Sequence, residues 1–145
     1  MCWIKSIADG LTMSHNTQNP FEIASNLNIM VILWDLHEEI NGFFKYDRRN
    51  KFIYINSNLS DEMQTVVCAH ELGHAILHPR ANTPFMRKNT FFSIAKIEIE
   101  ANIFAAELLI SDDSLSVCNH FSIFEIASLH NVPTELAMLK CKELF

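Results

Sequence analysis

Between Ser60 and Pro79 the chain carries one helical period that is apolar nearly all the way round, yet holds three ionisable residues at its centre. Met63, Val66, Val67, His70, His74 and Leu77 recur at helical spacing, while Cys68, Leu72 and Ile76 cover another side, so this helix is expected to be buried on almost every face. Ser60 is a good N-cap, Asp61 and Glu62 suit the positive end of the helix dipole, and Pro79 ends the helix after His78. A charged side chain inside such a helix needs a partner, because burying an unpaired charge is costly.

His70-Glu71-Leu72-Gly73-His74 supplies a reason for those polar groups. Two histidines four apart lie on one helical face, about 6 Å apart along the axis, so both imidazoles can reach one zinc ion. Glu71 stands beside His70, where its carboxylate can reach water at the metal and act as general base. A third ligand is required. His78 lies about 12 Å along the axis from His70, too far for three histidines to converge on one ion. A Gly-x-x-His continuation after His74 is also missing. His78 is therefore expected beside the metal centre or in its cleft.

The third ligand is sought on a second apolar stretch, Ile94 to Ile110, which is expected to form another buried helix. Glu98 shares a face with Ile94, Ala101, Asn102 and Ala105, while Glu100 points roughly 200° away around the axis. Only one of the two can aim at the metal. Ala101 and Ala105 permit close packing on the first helix, which makes Glu98 the better candidate and puts Asn102 with His78 in the surround. The plainer reading is a pair of glutamates on a solvated edge. Two histidines and a glutamate leave one position open for water, as a catalytic zinc site requires.

The rest of the chain frames these helices. With 145 residues, 49% of them apolar, it is long enough for one domain with a real core. Residues 1–19 read as an N-terminal extension with a short amphipathic pattern (Trp3, Ile4, Ile7, Leu11). Pro20 opens a short helix to Leu27. Ile29 to Trp34 is a strand, and Glu39–Tyr46 and Lys51–Asn56 form a hairpin in which Gly42 marks a bulge or a close backbone approach. Residues 79–92 show no period and are expected to be a loop beside the site. Residues 114–145 hold a helical pair, Phe121–Leu129 and Glu135–Leu144, around Asn131-Val132-Pro133-Thr134.

Seventeen acids outnumber eleven Lys and Arg, which argues against nucleic acid as a partner. Cys2, Cys68, Cys118 and Cys141 form no Cys-x-x-Cys pair, so neither a disulfide framework nor a thiolate zinc site is expected. Without a signal-peptide pattern or a run of about 18 apolar residues, the expected location is the cytoplasm, with no membrane contact.

Ala69-His70-Glu71-Leu72-Gly73-His74-Ala75-Ile76-Leu77-His78 together with Glu98-Ile99-Glu100-Ala101-Asn102-Ile103-Phe104-Ala105-Ala106-Glu107-Leu108-Leu109-Ile110 resembles the ImmA/IrrE family of zinc metallopeptidases. Asn19-Pro20-Phe21-Glu22-Ile23-Ala24 resembles the family's opening segment, and the likeness spans roughly residues 19 to 140. It implies an α+β, compact, single-domain zincin-like fold over residues 1–145, with a small three-stranded sheet packed on the helix of His70 and His74. The second ligand-bearing helix and a C-terminal helical pair complete that fold. It implies one zinc per chain held by His70, His74 and Glu98, with Glu71 as the base. The implied role is cleavage of a helix-turn-helix transcriptional repressor of a mobile element, prophage or stress response, by a protein acting as a monomer. Many members follow the second motif with Leu-Leu-x-Pro, whereas Ser111 follows Ile110 here.

The final helical pair looks like a helix-turn-helix, but the acidic chain favours packing or partner docking over DNA reading. A substrate strand is expected to add to an exposed edge of the 39–56 hairpin. His78, His120, His130, Tyr46 and Tyr54 all carry donors that could stabilise the transition state. The rival to the peptidase is a non-catalytic, zinc-stabilised module that binds and sequesters a repressor.

Overall fold

The hairpin forms as β2 (Ile40–Asp47) and β3 (Asn50–Asn56), joined through Arg48 and Arg49, which both take left-handed backbone angles (φ 51° and 67°). Two successive residues at positive φ make the tight turn whose twist matches that of the flanking strands. A computed structural model describes residues 2–80, 86–87, 95–111 and 120–142 of the chain. In it, β1 (Ile29–Trp34) does not follow on beside β2 but pairs in parallel with β3, Val31 opposite Ile53 and Leu33 opposite Ile55. The expected three strands gain a two-residue fourth, β4 (Met86–Arg87), within the stretch anticipated as a loop, and the order is β1-β3-β2-β4. Asn56 secures the β1–β2 connection by donating from its side-chain amide to the carbonyls of Leu36, His37 and Ile40.

One face of this sheet, through Phe44, Ile53 and Ile55, is fully buried against Val66 and Val67 of α3 (Asp61–Leu77). Gly42 sits where the two layers come closest. A Cβ there would lie 2.5 Å from the Tyr54 carbonyl oxygen and 2.7 Å from Val67 Cγ1, and the β2–β4 pairing shifts register at the same point. Gly42→Ala is expected to destabilise the domain by about 1–3 kcal/mol through overpacking, read as a lower urea midpoint. An unchanged midpoint would mean that the sheet can slide off α3 at no cost. On the opposite face, Phe43 and Tyr54 stack with ring centroids 4.7 Å apart, and Trp34 is exposed.

Ser60 caps α3 by accepting from the Met63 N–H at 3.2 Å, and the helix stops at Leu77 with His78 as its C-cap. Its partner, α4 (Lys96–Leu109), lies across it. A Cβ on Gly73 would meet Phe104 Cδ1 at 3.1 Å and Ala101 Cα at 3.3 Å, so glycine on one helix and alanine on the other bring the backbones together. The earlier start anticipated at Ser93 and Ile94 lies outside the described residues.

Among the described residues four more helices pack around these elements: α1 (Cys2–His15), α2 (Pro20–Asn26), α5 (Ile123–His130) and α6 (Thr134–Lys142). Residues 1–19, read from sequence as an extension, thus contain α1, whose Ile4 and Ala8 are fully buried in a core that α4 shares. Asn19 caps α2 by accepting from the Phe21 N–H. Ser122 and Glu125 form a reciprocal capping box at the start of α5, and Asn131 ends it in the left-handed region (φ 55°).

A buried ion pair links α4 and α6: Lys140 Nζ lies 2.7 Å from Glu107 Oε2, with Lys5 Nζ of α1 3.7 Å from the same oxygen. Lys140→Met removes the nearer cation from the buried Glu107 carboxylate, leaving Lys5 at 3.7 Å, and is expected to cost about 3 kcal/mol. The double replacement Lys140→Met with Glu107→Leu should recover most of that loss in thermal melts. Equal melting of single and double variants would show that the pair is not coupled. Among the described residues, no helix is long and apolar enough to cross a membrane.

Candidate metal centre

Helical spacing puts His70 and His74 on the same side of α3, and the close approach at Gly73 brings α4 over them. The two imidazoles meet edge to face with centroids 4.8 Å apart. Glu98, in the first turn of α4, reaches between them: its Oε2 lies 3.1 Å from His70 Nε2 and its Oε1 lies 3.0 Å from His74 Nε2. Glu71 Oε1 stands 4.0 Å from His70 Nε2. Ligand atoms of His70, Glu71 and His74 all fall within 4.8 Å of one another.

The surround aims these groups. His70 Nδ1 lies 2.7 Å from Asn102 Oδ1; with the amide oxygen there, Nδ1–H is the donor and the Nε2 lone pair is turned towards Glu98. His74 Nδ1 is 3.1 Å from His78 Nδ1, and His78 Nε2 is 3.2 Å from Glu100 Oε1. Glu98 and Glu100 therefore serve different histidines, as their divergence around the helix axis requires. His78 and Asn102 both stand directly behind the histidines that face Glu98.

Burial sets the electrostatics. Glu71 is fully buried, and neither of its carboxylate oxygens has a hydrogen-bond partner among the described residues. Desolvation, followed by the charge on Glu98, pushes its pKa well above the ordinary carboxylate value. Burial pushes the Glu98 carboxyl upward too, but the facing imidazoles of His70 and His74 outweigh it and hold the group at about 2. His74 is driven down by desolvation, with Glu98 pulling the other way. Cys68, one turn before Leu72, is a buried free thiol raised by its burial and by Glu71, so it stays protonated and inert.

These donors suit a zinc ion. Nitrogen and oxygen ligands at about 2.0–2.1 Å in a tetrahedron stand roughly 3.4 Å from each other, close to the 3.0 and 3.1 Å separations across Glu98. His70 Nε2 and Glu98 Oε2 face each other at 3.1 Å, a separation that a shared proton fills in the metal-free protein and that a bound cation would bridge.

Other donors weighed from sequence lie elsewhere. Tyr54 stacks on Phe43 on the far face of the sheet, and His130 bonds the Ile126 carbonyl within α5. Tyr46 lies on β2 and His120 is exposed before α5. The hairpin edge is partly occupied: β4 takes β2 at Ile40 and Gly42, and β1 takes the far side of β3. Sequence reasoning passed over Glu100 as a partner of His78, and no local signal marks it, because its burial depends on how α4 packs.

Comparison with known proteins agrees with this geometry. Residues 24–142 match the peptidase family described as the IrrE N-terminal-like domain. The chain is 55% identical over 139 residues to "Uncharacterized immunity region protein 2" of Bacillus phage phi105, covering 94% of this chain and 88% of that one. It is 33% identical to "Metallopeptidase ImmA" of Bacillus subtilis (strain 168), covering 97% and 85% of the two chains. Both alignments run through α3 and α4, the two helices that build the centre.

Proposed function

The chain belongs to the IrrE N-terminal-like family of metallopeptidases, and on that premise we propose that it is a zinc-dependent endopeptidase whose substrate is a helix-turn-helix repressor. One observation carries the enzymatic reading: two histidine Nε2 atoms and the Glu98 carboxylate converge at 3.0–3.1 Å beside a buried Glu71 that has no hydrogen-bond partner among the described residues. A structural zinc site would have no use for that extra carboxylate. His70, His74 and Glu98 hold the ion, which when bound supplies the Lewis acidity that polarises a carbonyl and acidifies water.

The chain's own residues do the rest. Glu71 Oε accepts the proton of the attacking water and then delivers it to the leaving amine nitrogen. Asn102 orients His70. The repressor as substrate is supported by the family resemblance and by the phage relative's name, which ties it to an immunity region. The protein acts in the cytoplasm, where such a repressor resides.

Co-expression with the helix-turn-helix repressor encoded beside it, followed by intact mass, tests the reading. Two fragments whose masses sum to the repressor plus one water are expected, and they should vanish with Glu71→Gln. An intact repressor that co-purifies with the zinc-loaded protein would favour the sequestering module instead.

A further inference from the structure

Glu100 is a carboxylate only 6% exposed, at the start of the stretch of α4 that is buried from Glu100 to Leu108, and the hydrolytic mechanism leaves it without a task. Its hydrogen-bond partner among the described residues is His78, itself nearly buried at the C-cap of α3. His78 in turn contacts His74 through the ring nitrogen that faces away from Glu98. Three buried polar groups thus form a line running from the end of one helix to the centre of the site.

We propose that Glu100 and His78 are positioning residues for the metal centre. Two successive hydrogen bonds, His74 Nδ1–H to His78 Nδ1 and His78 Nε2–H to Glu100, hold His74 in the tautomer whose Nε2 lone pair faces Glu98. This rests on the reading of His70, His74 and Glu98 as the zinc site.

The direction of the line follows from what each atom can do. A carboxylate only accepts, so His78 Nε2 carries the hydrogen between it and Glu100. In a neutral imidazole the other nitrogen is then a bare acceptor, and the hydrogen between the two Nδ1 atoms belongs to His74. His74 is left with its Nε2 lone pair free, as metal ligation requires. The same outcome is reached for His70 by one step, through the neutral amide of Asn102. The two ligands are therefore not equivalent. His74 is backed by a histidine and a full negative charge, which strengthens its nitrogen as a donor, while His70 is backed by a dipole. The line also ties the last turn of α3 to α4 beside Pro79.

Zinc affinity of the full-length chain, measured by chelator competition, distinguishes Glu100→Leu from Glu100→Gln. The leucine variant should bind zinc roughly 10- to 100-fold more weakly, whereas glutamine keeps an acceptor oxygen for His78 and should stay within about threefold of wild type. In the zinc-loaded wild type, 15N NMR should show a His74 Nδ1–H with scalar coupling across the hydrogen bond to His78 Nδ1. That measurement needs no variant to fold. Unchanged zinc affinity in Glu100→Leu, or no His74-to-His78 coupling in a wild-type chain that binds zinc, would overturn the relay alone. A wild-type chain that binds no zinc would overturn the zinc reading and the relay with it.

Discussion

Glu71→Gln is expected to leave the fold and zinc binding intact while slowing peptide-bond hydrolysis by about 10²- to 10⁴-fold. Glutamine keeps the shape of the side chain but cannot accept a proton, and the other carboxylates at the site are engaged: Glu98 faces both histidines and Glu100 is bound by His78. The check is the initial rate of repressor cleavage by zinc-loaded wild type and variant at matched metal content. A variant that cleaves at the wild-type rate would remove Glu71 from the mechanism.

The same substitution should act in the opposite sense on the stability of the metal-free protein. Burial raises the folded pKa of Glu71 above its ordinary value of 4.5. The stability associated with its protonated form is therefore full below that value and is lost as pH rises through the folded value. A neutral glutamine has no such dependence. Metal-free Glu71→Gln should be at least as stable as metal-free wild type at neutral pH, with the difference shrinking on acidification. Urea midpoints at several pH values decide the point.

The second large effect concerns the metal. Chelation, or His74→Ala, is expected to reduce cleavage to background, and restoring zinc should revive the chelated wild type but not the variant. Stability should follow. A ligand bound only by the folded state and present at about 1,000 times its dissociation constant contributes about 4 kcal/mol, a shift on the order of 10 °C in a domain of this size. The buried position of His70, Glu71 and His74 makes this coupling strong, because without the cation their polar atoms face one another with little solvent to satisfy them. Wild type should therefore melt lower after chelation, while His74→Ala should melt at the same temperature with or without chelator. Melting and cleavage that both survive chelation in wild type would exclude a metal at these residues.

What could be read from the chain alone was local. The span of α3 follows from Ser60, the apolar period and Pro79, and the placing of His70, Glu71 and His74 together depends only on the pitch of one helix. The turn between β2 and β3 and the burial of the Ile103–Leu108 segment are local in the same way. Even the divergence of Glu98 and Glu100 is a property of a single helix; which of them meets which histidine is not.

That choice depends on how α4 lies across α3, and Gly73 and Ala101 set it by letting the helices approach. Contacts between residues far apart in sequence escaped for the same reason. The parallel pairing of β1 with β3, the burial of α1 against the core, and the Lys140–Glu107 pair 33 residues apart exist only once whole elements have docked. Lys140 read by itself is a surface lysine, and Glu100 a solvated acid. Their burial is decided by neighbours that periodicity cannot supply. The chain by itself thus determined the helix that presents His70, Glu71 and His74. Tertiary packing decided which carboxylate faces them and which polar groups stand behind, because those distances depend on the rigid-body placement of one helix on another.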